Sequence, residues 1–133
     1  MTLLVLDASA LVAVLTDGGG AGAAVADALA GKALAAPDLL PFETANVLRR
    51  LELGGHITPD TASLAHGDLL DLAVQLWPYS SLAEQAWRLR GSLTLYDASY
   101  VALAARLHVP LVTLDQRLAR ATSTCEFLVP SVD

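Results

Sequence analysis

Short apolar runs alternate with longer segments of helical periodicity along the chain. The runs "LLVL", "ALAAP", "VQLW", "PLVTLD" and "CEFLV" predict strands, and longer segments with helix signals lie between most of them. Alternation of this kind is typical of an α/β layer in which the strands are parallel. We therefore predict an α/β fold with a central, mainly parallel sheet of four to five strands.

Capping and breaking residues indicate where the helices begin and end. Helices are predicted over residues 9–16, 21–30, 41–53, 60–75, 81–90 and 97–109, with glycine, proline, serine or aspartate at most of their ends. Gly67 is a possible break in the fourth of these helices, and Ser81 is predicted to cap the fifth. We expect both tryptophans, Trp77 and Trp87, to lie in the core rather than to stack on bases.

Length and composition narrow the class of protein. A chain of 133 residues fits one compact domain, which we expect to span residues 1–133. The longest stretch without a charge runs from residue 72 to 83 and contains Pro78, so it is too short to cross a bilayer. Cys125 is the only cysteine, which excludes an intrachain disulfide or a cysteine metal cluster. We predict a cytoplasmic protein without a membrane segment.

The charge is uneven along the chain. A net charge of −6 argues against a general nucleic-acid binder, because phosphate partners favour basic surfaces. Residues 86–133, however, carry five arginines against four acids, whereas residues 1–85 carry three basic and ten acidic residues. A phosphate-facing patch is therefore expected only in the last third, where Arg88 and Arg90 are candidate phosphate contacts.

Three aspartates share a placement at the ends of predicted elements. Asp7 and Asp115 end apolar strands, and Asp97 opens a helix within "YDASYV", which echoes "LDASAL" around Asp7. In an open parallel sheet, ligands bind in the crevice outside the carboxyl ends of the strands. Glu43, in the first turn of its predicted helix, is a fourth candidate. Each acid taken alone is also explained by helix capping or by favourable placement near a helix N-terminus.

If these four acids lie close together, their negative charges repel one another unless a cation binds between them. Two like charges about 4 Å apart repel by roughly 4 kcal/mol at an effective dielectric constant near 20. Oxygen ligands without cysteine or convergent histidine select Mg²⁺, or Mn²⁺ as a substitute, to relieve that repulsion. Divalent ions at an open acidic site suit the hydrolysis of phosphodiester bonds.

Three blocks of the sequence resemble the PIN-domain family, specifically the VapC-type toxins of bacterial toxin–antitoxin pairs. They are "LLVLDASALVAVL", "APDLLPFETANVLRRL" and "LTLYDASYVALAARLHVPLVTLDQRLA", of which the last is the most specific. The resemblance implies an α/β/α sandwich, a Mg²⁺-dependent endoribonuclease, a homodimer and neutralisation by a small antitoxin protein.

The same resemblance implies roles for individual residues. Asp7 and Asp97 correspond to the principal metal ligands, Glu43 to the acid from the central helix, and Asp115 to the fourth acid. Ser9 and Thr113 match hydroxyl positions beside these acids, where they would hold water or a carboxylate.

Other classes fit less well. A receiver domain needs a lysine late in the chain, whereas the only lysine is Lys32, and a haloacid-dehalogenase-like phosphatase needs a second aspartate where Ser9 stands. P-loop, dinucleotide-binding and G-x-S-x-G motifs are not found. The alternative from another class is a non-catalytic PIN-like module that binds RNA or protein, and it predicts that Mg²⁺ has no effect on stability.

Overall fold

Five short strands form one sheet in which every pair of neighbours is parallel. The computed structural model describes residues 2–17 and 19–131. The strands are β1 (Leu3–Leu6), β2 (Ala33–Pro37), β3 (Gln75–Trp77), β4 (Leu111–Val112) and β5 (Phe127–Leu128). Their order across the sheet is β3-β2-β1-β4-β5, so the first strand of the chain lies in the middle. The predicted α/β class and the mainly parallel sheet are confirmed, with five strands and all pairs parallel.

Helices flank this sheet and supply most of the chain. They are α1 (Ala8–Thr16), α2 (Gly20–Leu29), α3 (Leu40–Leu53), α4 (Pro59–Asp71), α5 (Ala83–Arg88), α6 (Leu95–Leu107) and α7 (Gln116–Ala121). Side-chain oxygens cap four of them at the first turn: Asp7 caps α1, Thr58 caps α4, Thr94 caps α6 and Asp115 caps α7. Proline near the start of α3 and α4 is favourable, because the first helical N–H groups need no partner within the helix.

The core is aliphatic and is centred on β1 and α6. Leu4, Val5 and Leu6 of β1 are buried, as expected for a central parallel strand that is covered on both faces. In α6, seven consecutive residues from 98 to 104 are buried, and four of them are alanine or serine. Small side chains allow this helix to pack closely against the sheet, which fixes the position of its first turn at the carboxyl edge.

Several element boundaries differ from those predicted. Helix α4 ends at Asp71 and continues through Gly67, whereas the prediction ran to Gln75; that residue pairs in the sheet with Ala35. Ser81 does not cap a helix, because its hydroxyl donates to the carbonyl of Pro78 within a 3-10 turn, and α5 begins two residues later. Helix α6 begins at Leu95, so Asp97 lies in its first turn and does not open it.

One of the two tryptophans is not a core residue. Trp77 is partly buried against the core, but Trp87 is 56% exposed. The guanidinium group of Arg90 lies 4.7 Å from the centroid of the Trp87 ring, so the ring packs against a cation at the surface. The prediction that Trp87 is buried is therefore wrong.

No single helix among residues 2–17 and 19–131 has the length and apolar character needed to cross a bilayer. Helices α1 and α2 have enough apolar residues only when they are taken together, and they are bent by 113° to one another.

Candidate active site

The four predicted acids lie on segments that meet at the carboxyl edge of the sheet. Asp7 follows β1, and Asp115 follows the neighbouring parallel strand β4 by three residues. Glu43 lies in the first turn of α3, which begins shortly after β2 ends, and Asp97 lies in the first turn of α6. Since the strands are parallel, their carboxyl ends share one edge, and the acids are carried to it from four different elements.

Asp7 is the most deeply placed of these acids, with only 7% of its surface exposed. One carboxylate oxygen accepts hydrogen bonds from the Ser9 hydroxyl at 2.6 Å and from the Ala10 amide at 3.1 Å, and the other accepts from the Thr113 hydroxyl. Burial raises the pKa of Asp7, the three donors oppose that rise, and the negative charge of Asp115 adds to it. The carboxylate is therefore held in one orientation at a cost in desolvation.

Both hydroxyls that hold Asp7 are themselves oriented by the backbone. The Ser9 oxygen accepts a hydrogen bond from the Leu114 amide at 3.0 Å, and the Thr113 oxygen accepts one from the Asp115 amide at 3.0 Å. Each hydroxyl therefore gives its single proton to Asp7, and the 3.4 Å separation of the Ser9 and Thr113 oxygens is a contact without a shared proton. The network ties the start of α1 to the end of β4.

Glu43 is held by a residue that the sequence did not point to. The hydroxyl of Tyr100, a residue only 2% exposed, donates to a Glu43 carboxylate oxygen at 2.7 Å. Burial raises the pKa of Glu43, the bond from Tyr100 lowers it, and the charges of Asp97 and Asp7 raise it further. Burial and the Glu43 carboxylate raise the pKa of Tyr100, so the phenol keeps its proton and remains a donor. The sequence contained one indication of this contact: Tyr100 follows Asp97 by three positions, and residues three apart share a helix face.

Asp97 is half-buried and is surrounded by charge of both signs. Its amide donates to the Thr94 hydroxyl at 3.2 Å, so Thr94 and not Asp97 performs the capping. Burial and the charge of Asp115 raise the pKa of Asp97, whereas Arg117 and Thr94 lower it. Asp97 and Asp115 line one open cavity, together with Thr94 and Arg117.

Arg117 is the second residue that the sequence prediction missed. It stands at the second position of α7, and its guanidinium nitrogen lies 3.9 Å from an oxygen of Asp115. A cation near a helix N-terminus is placed against the helix dipole, which indicates that something else keeps it there. Here the neighbouring acids do so, and the side chain is 86% exposed and therefore accessible to a ligand.

The two arginines that the sequence singled out have other partners in this structure. Arg88 forms an ion pair with Glu84 at 3.0 Å, one helical turn away. Arg90 donates to the carbonyl of Trp87 at 2.9 Å and covers its ring. Both side chains lie on or next to α5, so their role as phosphate contacts stays a prediction.

The electrostatics and the donor set fit a magnesium ion. Each of Asp7, Glu43 and Asp97 has its pKa raised in part by another member of the group, which means that their negative charges are close enough to repel. Within the described part of the chain, no three carboxylate, imidazole or thiolate groups are close enough together to ligate a metal by themselves. Mg²⁺ does not need such a cage, because it keeps several waters and binds through one or two carboxylates plus substrate phosphates.

Comparison with known proteins shows the family to which the chain belongs. A sequence model of the PIN domain matches residues 4–123, so the chain belongs to the PIN domain family. Ribonuclease VapC1 of Mycobacterium tuberculosis is 44% identical over 119 residues, which cover 88% of this chain and 89% of the relative. Ribonuclease VapC12 of the same organism is 37% identical, with 90% and 92% covered. The chain is thus homologous to the VapC ribonucleases of toxin–antitoxin systems and is a ribonuclease of that family.

A solved structure supports the same fold. The crystal structure of VapC20 from Mycobacterium tuberculosis, a toxin that cleaves the sarcin–ricin loop, superposes with a TM-score of 0.68 at 19% identity. The superposition covers 89% of this chain and 94% of that one. At this level of identity the likeness shows a common fold.

Proposed function

We propose that the protein is a Mg²⁺-dependent endoribonuclease toxin in which Asp7, Asp97 and Asp115 hold the metal, directly or through its bound waters, with Glu43 completing the acidic pocket. The placement of four acids from four elements at the carboxyl edge of the sheet is the observation that carries this proposal. A group of carboxylates that repel one another at an open edge is a site at which a divalent cation lowers the free energy. Mn²⁺ is expected to substitute for Mg²⁺.

In this proposal, each residue of the site has a distinct role in cleavage. A bound divalent ion supplies the activation of water and the stabilisation of the leaving oxygen. Asp97, which lines the open cavity, and the buried Asp7 would hold that ion, while the Ser9 and Thr113 hydroxyls keep Asp7 in orientation. Arg117, exposed beside Asp115, is placed to bind a phosphate of the RNA. By family resemblance the products carry a 5′-phosphate and a 3′-hydroxyl.

Two protein partners belong to the same proposal. As a VapC-family ribonuclease, the chain is expected to be neutralised by a small antitoxin protein. Large apolar side chains on and around α3 and α4 are exposed, namely Phe42 at 81%, Leu53 at 66%, Leu64 at 72%, Leu70 at 70% and Leu76 at 44%. Exposed large apolar side chains are typical of an interface, and we assign these to contact with a second copy of the chain. Light scattering at micromolar concentration should report a dimer; a monomer would overturn the assignment.

Incubation with RNA tests the catalytic assignment. Purified protein is incubated with total RNA in Mg²⁺ and in EDTA, alongside the Asp97→Asn variant, and the ends of any cut RNA are mapped. We expect defined cuts only for the wild type in Mg²⁺, with a 5′-phosphate at each new end. RNA that is bound but left intact in Mg²⁺ would favour the non-catalytic binding module instead.

A further inference from the structure

A second pocket opens at the same edge of the sheet, beside the acids. Two exposed aromatic residues line it, Tyr79 at 44% and Tyr96 at 66% exposure, and its volume is about 230 Å³. The other lining residues include Pro37, Asp38, Leu39 and Leu95. We call this the tyrosine pocket. Exposed tyrosine rings around an apolar depression form a surface suited to a flat ligand.

The tyrosine pocket is continuous with the acidic site through the chain itself. Tyr96 immediately precedes Asp97 in the first turn of α6. Leu39 lies one helical turn before Glu43, at the entry to α3, and Pro37 is the last residue of β2 at the carboxyl edge. The two segments that carry Glu43 and Asp97 therefore also form walls of the pocket. A ligand positioned at those acids has its next chemical group within reach of the tyrosines.

The lining of the pocket selects against phosphate. Among the residues that the structure describes, neither lysine nor arginine lines it, and Asp38 is the only acidic residue that does. The accessible surface is almost wholly apolar, and the one lining hydroxyl outside the tyrosines, that of Ser99, is satisfied by donating to the Tyr96 carbonyl at 2.7 Å. An uncharged group with flat faces fits this surface, whereas the charged sugar–phosphate backbone of RNA is repelled from it.

We propose that the tyrosine pocket binds one unstacked base of the RNA, adjacent to the phosphate that is cut, and that Tyr96 and Tyr79 are the residues on which this base stacks. The inference rests on the proposed endoribonuclease function, since it places the scissile phosphate at Asp97. Proteins that recognise single-stranded RNA turn bases out and stack them on aromatic side chains. Such stacking is worth roughly 5- to 150-fold in binding for each base. The tyrosines thus position the substrate and set which nucleotide lies at the cut.

Variants of the two tyrosines test this assignment. Tyr96→Ala and Tyr79→Ala remove a ring, Tyr96→Phe and Tyr79→Phe keep it, and His56→Ala is the matched control. His56 is an exposed ring that follows α3 and lies about 20 Å along that helix from its first turn. The three side chains changed in these five variants are exposed, so melting temperatures should stay close to the wild type.

The experiment measures the energetic coupling between one base of the RNA and one tyrosine ring of the pocket. A labelled single-stranded RNA that contains the mapped cut, and copies with one abasic site moved nucleotide by nucleotide, are compared by kcat/KM in Mg²⁺ and by fluorescence polarisation in EDTA. We expect one position next to the cut where loss of the base weakens the wild type about 5- to 150-fold. In the alanine variants, loss of the base at that position should lower kcat/KM and affinity little further. In the phenylalanine variants and in His56→Ala, it should lower them as much as in the wild type.

The outcomes separate this inference from the function on which it rests. Cleavage that is normal in both alanine variants, at every abasic position, would overturn the base-binding assignment and leave the endoribonuclease intact. If the wild type cuts nothing, binding in EDTA that depends on both Tyr96 and one base would support the pocket and overturn the function.

Discussion

At the scale of single residues, Asp7 shows how the fold and the chemistry oppose each other. The fold benefits from its side chain as the cap of α1, while burial disfavours its charge. Two hydroxyls more than one hundred positions apart in sequence, Ser9 and Thr113, are used to hold one carboxylate. A carboxylate whose orientation is fixed in advance loses little entropy when a cation arrives.

Thr44 provides a test of residue-scale energetics next to the site. Its side chain is wholly buried, and its hydroxyl has no hydrogen-bond partner among the residues that the structure describes. We expect Thr44→Val, which is close in shape, to raise the free energy of unfolding by about 1 kcal/mol, because a buried unpaired hydroxyl is removed. Urea denaturation measures the change. A loss of stability would instead show that the hydroxyl has a partner in solution, such as a bound water.

Tyr100→Phe tests the bond that holds Glu43. Removal of the hydroxyl should destabilise the fold by about 1 to 2 kcal/mol and leave Glu43 free to turn. The pKa of Glu43 should rise further, since the bond from Tyr100 lowers it. We expect a higher Mg²⁺ concentration at half-maximal cleavage, with little change in RNA affinity measured in EDTA. An unchanged Mg²⁺ midpoint would show that Glu43 is not part of the metal site.

At the scale of elements, the two similar hexapeptides have different structures. In "LDASAL" the aspartate caps α1, whereas in "YDASYV" the cap has already been supplied by Thr94, so Asp97 is not needed for capping. The capping explanation therefore holds for Asp7 and not for Asp97. An acid that a helix does not need for its start, placed at a ligand-binding edge, is more strongly indicated as functional.

Apolar runs located all five described strands. The central strands β1, β2 and β4 are largely buried and contain few polar residues, and the edge strands β3 and β5 are apolar enough to be found although they are less buried. Periodicity could not place the end of α4, which is decided by sheet pairing, nor find α7, whose six residues are too few to show a period. The predicted ends of the strands indicated where Asp7 and Asp115 lie in the fold. Contacts such as Tyr100 with Glu43, 57 positions apart, depend on helix packing and are not visible in one sequence.

Arg117→Gln tests the function of α7. Loss of a cation from the first turn should leave stability unchanged or raise it slightly, because the cation opposes the helix dipole. RNA binding should weaken, and the slope of log affinity against log salt should become shallower by about 0.7 for one phosphate contact. Fluorescence polarisation over a salt series measures both. Arg120→Gln, on the same helix, is the comparison; an equal effect of both changes would indicate a general charge effect.

At the scale of the whole molecule, a net charge of −6 is unfavourable for the binding of RNA. Much of that charge, however, belongs to the acids of the site. Asp7, Glu43, Asp97 and Asp115 contribute four of those negative charges at one edge. A divalent cation bound there would cancel about half of that charge where the phosphate must approach, and Arg117 adds a positive charge beside it. The acidic remainder of the surface then limits non-specific attachment to nucleic acid.

The effect of Mg²⁺ on the stability of the fold should depend on the pH and on Asp97. Because the pKa values of Asp7, Glu43 and Asp97 are raised, the folded protein binds more protons than the unfolded chain, and the contribution of these groups falls as the pH rises through the raised values. We expect Mg²⁺ to raise the melting temperature more at pH 8 than at pH 5. Asp97→Asn should melt higher than the wild type without metal and respond less to Mg²⁺.

Asp60→Asn is the matched control for that experiment, since Asp60 is an exposed acid in the first turn of α4. It should respond to Mg²⁺ as the wild type does. A Mg²⁺ response that Asp97→Asn retains in full, measured by thermal unfolding at both pH values, would place the metal elsewhere.

The central position of β1 has a consequence for how the cell makes this enzyme. The amides of Val5 and Asp7 donate to the carbonyls of Pro110 and Val112, so the first strand is fully paired only after a segment much later in the chain has been made. A ribosome therefore carries a nascent chain whose catalytic edge is unfinished until the segment around Thr113 has left the exit tunnel. Copies that end before β4 would lack Thr113 and Asp115 and, on the proposed function, would not cut RNA.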